Sequence, residues 1–323
     1  WITTANASAQ PMGIVTDRSI VYWANFGTGT ISRAPVEQPI GTGDFFWANI
    51  PGIKSLAFNP TFTALYAACL FAGSMTCVHA EIQTRTLSYE VDGTPIESVL
   101  VYDDAGPAQR PALVMVPNWM GVNTSQVEKA KAIAGKDYVI LVADVYGTAT
   151  RPADADEAGK AAGAMYADRA ALRARVNAAL DQLANAKDAP VDRAKLGAIG
   201  FCFGGASALE LVRSGADIAG VVSFHGNLAT DLPAKPGEVK AKVLALNGAD
   251  DSYVPADQIN AFTKEMQAAG IDWQFVNLGG AVHCFAEPDA NSGPGCLYNE
   301  RAAKRAFRMM HDFFDEAFET RRN

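Results

Sequence analysis

The sequence predicts an α/β fold in which a mostly parallel sheet is covered by helices on both faces, and two observations favour that class. Continuous apolar runs such as 112–116 and 138–143 are typical of strands that are buried on both sides. These runs alternate with longer segments of helical periodicity, which is the order that builds parallel sheets. The 323 residues are 49% hydrophobic and 19% charged, so the chain can bury a large core.

The predicted elements begin with an antiparallel pair of strands at 86–91 and 96–102, joined by the turn Asp92-Gly93. Further strands are predicted at 112–116, 138–143, 196–201, 220–224, 243–246 and 273–278, and helices at 124–134, 156–187, 204–212, 256–269 and 299–320. The Ala-rich segment 156–187 is expected to break near Gly163. Parallel sheets place their chemistry at the carboxyl ends of their strands, so we expect the site in the loops that follow.

The first 80 residues differ in composition from the rest, because they contain only six charged side chains. Residues 1–52 alternate short strands with glycine turns and resemble a single β-propeller blade, which cannot bury both of its faces. We interpret them as a non-native or vestigial segment outside the main fold. The α/β domain is predicted to occupy 81–323.

Residues 53–80 have the layout of a secretory signal peptide. Lys54 precedes an apolar run at 64–72, which is too short to span a bilayer. Val78-His79-Ala80 then fits a small-x-small cleavage pattern that leaves Glu81 as the new N-terminus. The layout predicts a periplasmic or secreted protein; the alternative is a buried helix of a cytoplasmic protein.

The charge pattern excludes several classes of partner. The net charge is −8 and no Lys/Arg cluster occurs, so neither a nucleic acid nor a membrane partner, beyond export, is expected. The sequence contains no CxxC pair and no Cys/His zinc pattern, and no metal or other cofactor is predicted.

The segment Gly200-Phe201-Cys202-Phe203-Gly204 lies between a predicted strand and a predicted helix. This pattern places a nucleophile on a tight turn, where glycines two residues to either side let strand and helix pass closely. The helix that follows points its N-terminus at the sulfur, which favours the thiolate. We therefore interpret Cys202 as a nucleophile rather than as a buried, inert cysteine.

Two other strand ends carry residues that can complete a triad. Asp250 and Asp251 follow the strand at 243–246, and either carboxylate could orient a histidine. His283 follows the last strand, and the order Cys, Asp, His along the chain is that of the α/β-hydrolase triad. His225 also ends a strand and could line the site.

From about residue 84 to 320 the chain resembles the dienelactone hydrolase family of α/β hydrolases. The resemblance rests on Gly-x-Cys-x-Gly-Gly at 200–205, on Gly-x-x-Asp-x-x-Val-Pro at 248–255 and on His-x-Phe at 283–285. It implies the α/β-hydrolase fold and a small ester or lactone as substrate.

The resemblance also implies roles for individual residues. Cys202 is the nucleophile, His283 the base and Asp251 its orienting carboxylate. The oxyanion hole consists of the backbone N–H groups of Phe203 and Trp119. The candidates for the substrate pocket, which follow the same strand ends, are Asn118, Tyr146, His225, Tyr253, Phe285 and Glu287.

The chain departs from the family pattern at two of these positions. Asn118 stands where well-known members have a glutamate that helps to control protonation of the cysteine. Glu287 stands where they have an arginine that holds the carboxylate of the lactone, and Arg151 matches a second such arginine only at a shifted register. An acidic Glu287 would repel an anionic substrate, so the sequence predicts a neutral ester or lactone.

The sequence therefore predicts an exported carboxylic-ester or lactone hydrolase that works through an acyl-thioester on Cys202. One alternative is a non-catalytic α/β-hydrolase scaffold that binds a small ligand or a partner. Another is a thiol redox protein that pairs Cys202 with Cys284.

An exported protein would meet an oxidising compartment, and Cys202 has to remain free to attack. Cys284 and Cys296 are then available to form a disulfide across a Pro- and Gly-rich loop directly after His283. The sequence leaves open whether they are bonded, because it does not show how closely their Cα atoms approach.

Overall fold

The structure, a computed structural model, describes residues 82–104, 109–135 and 137–320, together with the backbone of short strands between residues 11 and 69. The chain divides into two compact units, Trp1–Glu81 and Ile82–Asn323.

The first unit contains two small antiparallel sheets. One is formed by β1 (Pro11–Thr16), β2 (Ile20–Asn25), β3 (Thr30–Pro35) and β4 (Asp44–Trp47), and the other by β5 (Ile53–Phe58) and β6 (Leu65–Cys69). Residues 70–81, which include the predicted cleavage site, lie outside the described residues. The division into a blade-like segment and a signal peptide stays a prediction.

The second unit is built on an eight-stranded sheet. Its strands are β7 (Ile82–Val91), β8 (Thr94–Asp103), β9 (Arg110–Val116), β10 (Val139–Val142), β11 (Val191–Phe201), β12 (Gly220–Phe224), β13 (Lys242–Gly248) and β14 (Trp273–Leu278). Its helices are α1 (Thr124–Ala134), α2 (Ala155–Ala167), α3 (Arg169–Ala184), α4 (Phe203–Arg213), α5 (Ala256–Ala269) and α6 (Glu300–Thr320).

The strands lie in the order β14-β13-β12-β11-β9-β10-β8-β7. The hairpin β7–β8 and the pair β8–β10 are antiparallel, whereas every neighbouring pair from β10 to β14 is parallel. The predicted mostly parallel sheet is thus confirmed, and the carboxyl ends of β9, β11, β12 and β13 meet at one edge.

The sheet is buried on both faces because neighbouring residues of its central strands point to opposite sides. Val114 packs into the cluster formed with α2, α3, α4 and α5, whereas Leu113 and Met115 pack into the cluster formed with α1 and α6. Continuous apolar strands therefore need both helical layers, as the sequence predicts.

The break in the long Ala-rich segment lies at Asp168 rather than near Gly163. Asp168 ends α2 and caps α3, because its side chain accepts a hydrogen bond at 2.9 Å from the backbone N–H of Ala171. Gly163 stays inside α2, where a helix tolerates a single glycine at a modest cost in free energy.

In the part of the chain that the structure describes, no helix has both the length and the apolar character needed to cross a membrane.

Candidate active site

The turn between β11 and α4 holds Cys202 at a positive φ, with φ 55° and ψ −119°, a conformation that residues other than glycine rarely adopt. The glycines on either side leave no room for a side chain. A Cβ added to Gly200 would lie 1.9 Å from the carbonyl oxygen of Gly204, and one added to Gly204 would lie 2.0 Å from that of Val116. The turn forms here because only glycine fits on both sides of the cysteine.

The backbone N–H of Cys202 is shared between two acceptors at the end of β12. It donates to the carbonyl oxygen of Phe224 at 3.0 Å and to Nδ1 of His225 at 3.1 Å. The backbone of the cysteine is therefore fixed from below, while its side chain remains partly exposed as a free thiol.

The structure brings Cys202, His283 and Asp251 together. Nε2 of His283 lies 3.1 Å from Sγ of Cys202, and Nδ1 lies 2.7 Å from Oδ2 of Asp251. The other carboxylate oxygen of Asp251 accepts the backbone N–H of Tyr253 at 2.8 Å, which fixes the carboxylate. Of the two candidate carboxylates, Asp251 contacts the histidine, whereas Asp250 is exposed to solvent.

The surroundings of His283 favour its charged form. Burial opposes protonation, but the hydrogen bonds and charges of Asp251 and Cys202 outweigh that effect and raise the pKa of His283 to about 10. The imidazole can therefore hold a proton taken from the neighbouring thiol.

The backbone N–H groups of Trp119 and Phe203, which the sequence predicts to form the oxyanion hole, have no acceptor within the described residues. Phe203 is the first residue of α4, so its N–H has no partner inside the helix. Trp119 lies in the turn after β9, which Asn118 stabilises. Oδ1 of Asn118 accepts the N–H of Met120 at 3.1 Å, and its carbonyl oxygen accepts that of Gly121 at 2.9 Å.

Tyrosines surround this part of the site. Tyr146 donates its hydroxyl hydrogen bond to the carbonyl oxygen of Trp119 at 3.0 Å, and its ring lies 5.3 Å from that of Phe203. Tyr166 meets the same Phe203 ring edge-on at 5.3 Å. Burial, together with the nearby Cys202, raises the pKa of both tyrosines, so both stay neutral hydroxyls. Sequence reasoning missed Tyr166, because an aromatic residue in an amphipathic helix carries no signal of its own.

Tyr253 forms the outer rim. It is 61% exposed, and its ring lies 5.1 Å from that of His283. The triad therefore opens to solvent beside this side chain.

Three of the pocket candidates require correction, because they lie beneath the site rather than on its surface. His225 and Phe285 are 0% exposed, and Glu287 is 3% exposed. The ring of His225 packs edge-to-face against those of His283 and Phe285, each at 5.1 Å. Burial, with the charges of His283 and Lys129, lowers the pKa of His225 well below its usual value, so this ring is neutral.

Glu287 is paired inside the protein. Its Oε2 accepts hydrogen bonds from Nζ of Lys129, from Nδ2 of Asn118 at 3.2 Å and from Nε2 of Gln126 at 3.4 Å. The charge of Lys129 balances that of Glu287, which removes the basis for repulsion of an anionic substrate. Lys129 could not be found from the sequence, because it occupies an ordinary position in α1.

Arg151, the shifted counterpart of the family arginine, is also paired. Its Nη2 donates to Oδ2 of Asp144 at 2.8 Å, and its Nη1 donates to the carbonyl oxygen of Gly147 at 2.7 Å. Asp144 in turn accepts the N–H of Tyr146 at 3.0 Å, so Arg151 supports the loop that carries this tyrosine.

A disulfide joins Cys284 to Cys296, with the two Cα atoms 5.0 Å apart. The loop it closes is also tied by backbone contacts: His283 and Cys296 form a β-bridge, and the N–H of Leu297 donates to the carbonyl oxygen of His283 at 3.1 Å. The bridge occupies Cys284, which is therefore not available as a redox partner of Cys202.

Comparisons with known proteins identify the family. The model of the dienelactone hydrolase family matches residues 97–318. A probable 2-oxo-3-(5-oxofuran-2-ylidene)propanoate lactonase from Bradyrhizobium sp is 31% identical over 219 residues, which are 63% of this chain and 86% of that relative.

Solved structures show the same fold. A dienelactone hydrolase-like promiscuous phosphotriesterase from metagenomic libraries is 35% identical, with a TM-score of 0.68 over 73% of this chain and 98% of its own. A dienelactone hydrolase from Anabaena variabilis shares the fold at 18% identity, with a TM-score of 0.53 over 73% of this chain and 98% of its own. The chain therefore belongs to the dienelactone hydrolase family and is a hydrolase that acts on carboxylic ester bonds.

Proposed function

We propose that the protein hydrolyses carboxylic esters or lactones through the triad of Cys202, His283 and Asp251. One observation carries the proposal: close contacts run without a gap from the sulfur through the imidazole to the carboxylate, at 3.1 and 2.7 Å. A nucleophile, a base and an orienting group in this order are the arrangement that acyl transfer needs.

In the first half of the reaction, Nε2 of His283 accepts the thiol proton and Sγ of Cys202 attacks the carbonyl carbon. The electron pair of the C=O bond moves to oxygen, where the N–H groups of Trp119 and Phe203 stabilise the negative charge. When the intermediate collapses, the ester C–O bond breaks and the imidazolium gives its proton to the departing alkoxide. An acyl-thioester on Cys202 remains.

In the second half, His283 accepts a proton from water, and the hydroxide oxygen attacks the thioester carbon. A second oxyanion forms at the same pair of N–H groups. Its collapse breaks the C–S bond, returns the proton to the sulfur and releases the acid. Asp251 holds the imidazole throughout by accepting its Nδ1–H.

We also propose that the substrate is uncharged. Lys129, beneath the site, pairs with Glu287, and Arg151, beside the loop of Tyr146, pairs with Asp144. The tyrosines that contact Trp119 and Phe203, Tyr146 and Tyr166, are neutral. A free carboxylate would lose its hydration at such a site without gaining a counter-ion.

A simple assay tests both proposals. The purified protein should hydrolyse 4-nitrophenyl butyrate, and kcat/KM should be lower for 4-nitrophenyl hydrogen succinate, a matched anion. Cys202→Ala should remove nearly all turnover. If wild type and Cys202→Ala are equally inactive towards a panel of esters and lactones, the alternative of a ligand-binding scaffold gains instead. Equal or better turnover of the anion would contradict the proposal on charge.

A second candidate activity is hydrolysis of phosphotriesters, which the 35% identical phosphotriesterase suggests. Such substrates are neutral and would also suit a site surrounded by tyrosines. Release of 4-nitrophenol from diethyl 4-nitrophenyl phosphate, absent in Cys202→Ala, would support it. Stoichiometric release followed by inactivation would show phosphorylation of the cysteine without turnover.

Export is a further proposal, and the bridge between Cys284 and Cys296 supports it, since disulfides persist in oxidising compartments. The protein can be expressed with translation starting near residue 53. Mass spectrometry of the exported product should then find Glu81 as its N-terminus. An uncut cytoplasmic product would argue against export.

A further inference from the structure

A buried polar cluster lies behind the turn that carries Trp119. Glu287, Lys129, Gln126 and Asn118 come from the histidine loop, from α1 and from the end of β9, and they converge on one carboxylate oxygen, Oε2 of Glu287. The Lys129 and Glu287 side chains are 8% and 4% exposed. The ammonium also lies 4.3 Å from the centre of the Phe201 ring, directly before the nucleophile.

Stability alone gives little reason for such a cluster. A buried ion pair loses much of its hydration, and apolar residues of similar volume are often equally stable. Consistent with that loss, burial lowers the pKa of Lys129, against the opposing charge of Glu287. The second carboxylate oxygen, Oε1, is buried and has no hydrogen-bond partner within the described residues.

The amide of Asn118 links this cluster to the site. Its nitrogen donates to Glu287, while its oxygen accepts the N–H of Met120 at 3.1 Å. Trp119 lies between Asn118 and Met120 in the chain, so the bond from Met120 to the Asn118 amide spans it. With its nitrogen fixed, the side chain of Asn118 cannot rotate, and the turn keeps the direction of the Trp119 N–H.

We propose that Glu287 is a positioning residue, which through Asn118 aims the backbone N–H of Trp119 at the developing oxyanion, while Lys129 compensates its buried charge. The inference rests on the proposed function. In this proposal Glu287 does not select substrates by charge; it helps to stabilise the transition state. It does so through Asn118, which lies 169 residues away in the sequence.

A double-mutant cycle between Glu287→Ala and Asn118→Ala tests the link, with 4-nitrophenyl butyrate as substrate. Loss of one oxyanion donor costs about 10²–10³-fold in kcat, so a misdirected donor should cost about tenfold or more, with KM nearly unchanged. Because one residue acts through the other, the double variant should be little slower than either single variant. Additive losses would overturn the proposal.

Alkylation of Cys202 by iodoacetamide separates this role from activation of the thiol, because the sulfur then attacks a CH₂ group and no oxyanion forms. In Glu287→Ala, alkylation should be at least as fast as in wild type while hydrolysis falls. A parallel fall in both rates would overturn the proposal. The proposed function is tested separately, by loss of hydrolysis in Cys202→Ala. If the positioning role of Glu287 is wrong, the proposed function is therefore unaffected.

Two variants control for folding. Glu287→Gln with Lys129→Met removes both charges but keeps an acceptor for Asn118, and it should restore kcat to within about threefold of wild type. Glu265→Ala breaks another partly buried ion pair, with Arg213, and should lower the melting temperature without lowering kcat. If Glu287→Ala does not fold, Asn118→Ala leaves the buried pair intact, and normal kcat in that variant would overturn the proposal.

Discussion

The turn that carries Cys202 and the loop that carries His283 are held by different kinds of contact. The turn is fixed by close backbone packing, in which Gly200 approaches the carbonyl group of Gly204 and Gly204 approaches that of Val116 at the end of β9. The histidine loop has backbone contacts too, but it depends in addition on side chains: the carboxylate of Asp251 and the bridge from Cys284 to Cys296. A single substitution in the nucleophile turn should therefore disrupt the whole turn. Loss of one side-chain contact in the histidine loop should disrupt that loop only in part.

The largest effect on the histidine loop is expected from a substitution of Asp251. Asp251→Asn should lower kcat about 10³–10⁴-fold, because an amide can donate to Nδ1 and so favour the wrong tautomer of His283. The exposed neighbour provides the control: Asp250→Asn should stay within about threefold of wild type. If the two variants lose activity equally, the assignment of Asp251 is wrong.

The packing of the nucleophile turn can be broken at Gly204. Gly204→Ala would place a Cβ 2.0 Å from the carbonyl oxygen of Val116, so the free energy of unfolding should fall by at least about 3 kcal/mol, as measured with urea. Gly163→Ala is the matched control, because outside the adjacent backbone of α2 no atom of the described residues lies within 4 Å of the added Cβ. A glycine inside a helix gains up to about 1 kcal/mol on replacement by alanine. Equal stability of the two variants would contradict this account of the turn.

The disulfide offers a milder test of the histidine loop. Replacement of Cys284 and Cys296 by serine should lower the free energy of unfolding by about 2–3 kcal/mol, since the bridge closes a loop of 12 residues. The loop keeps its backbone contacts with His283, so kcat should fall less than it does in Asp251→Asn. Peptide mapping of the unreduced wild-type protein should recover the two cysteines in one linked species. Separate peptides would show that the bridge does not form.

A further test uses the pH dependence of stability. The pKa of His283 is about 10 in the folded protein and near 6.5 when unfolded, so the folded state binds more protons between these values. This contribution is complete below pH 6.5 and is lost as the pH rises towards 10. Urea unfolding at several pH values should show that the free energy of unfolding falls less steeply with rising pH in His283→Asn than in the wild type. An unchanged slope would mean that the imidazole is not held in its charged form.

The same contrast explains what the sequence could predict. Cys202, Asp251 and His283 were predictable because each lies in a short motif directly after a strand, and parallel strands bring such loops together. The choice between Asp250 and Asp251 followed from resemblance, since spacing alone does not tell which side chain turns inward.

Other residues depend on contacts between distant parts of the chain. His225 and Phe285 follow strands like the triad residues, yet they point under the site, and nothing in their local sequence shows that direction. Lys129 could not be recognised, because its partner Glu287 is 158 residues away. The bridge between Cys284 and Cys296 remained open for a similar reason, as it depends on how closely two ends of a loop approach.

The positive φ of Cys202 has a consequence for how the molecule responds to selection. At φ 55° the backbone of Cys202 has a conformation that glycine adopts with less strain. The strain lowers the free energy of unfolding, which is the cost of a thiol at this position. A screen for heat resistance alone would therefore favour Cys202→Gly and would return an inert protein. Only a screen that also requires turnover would retain the cysteine.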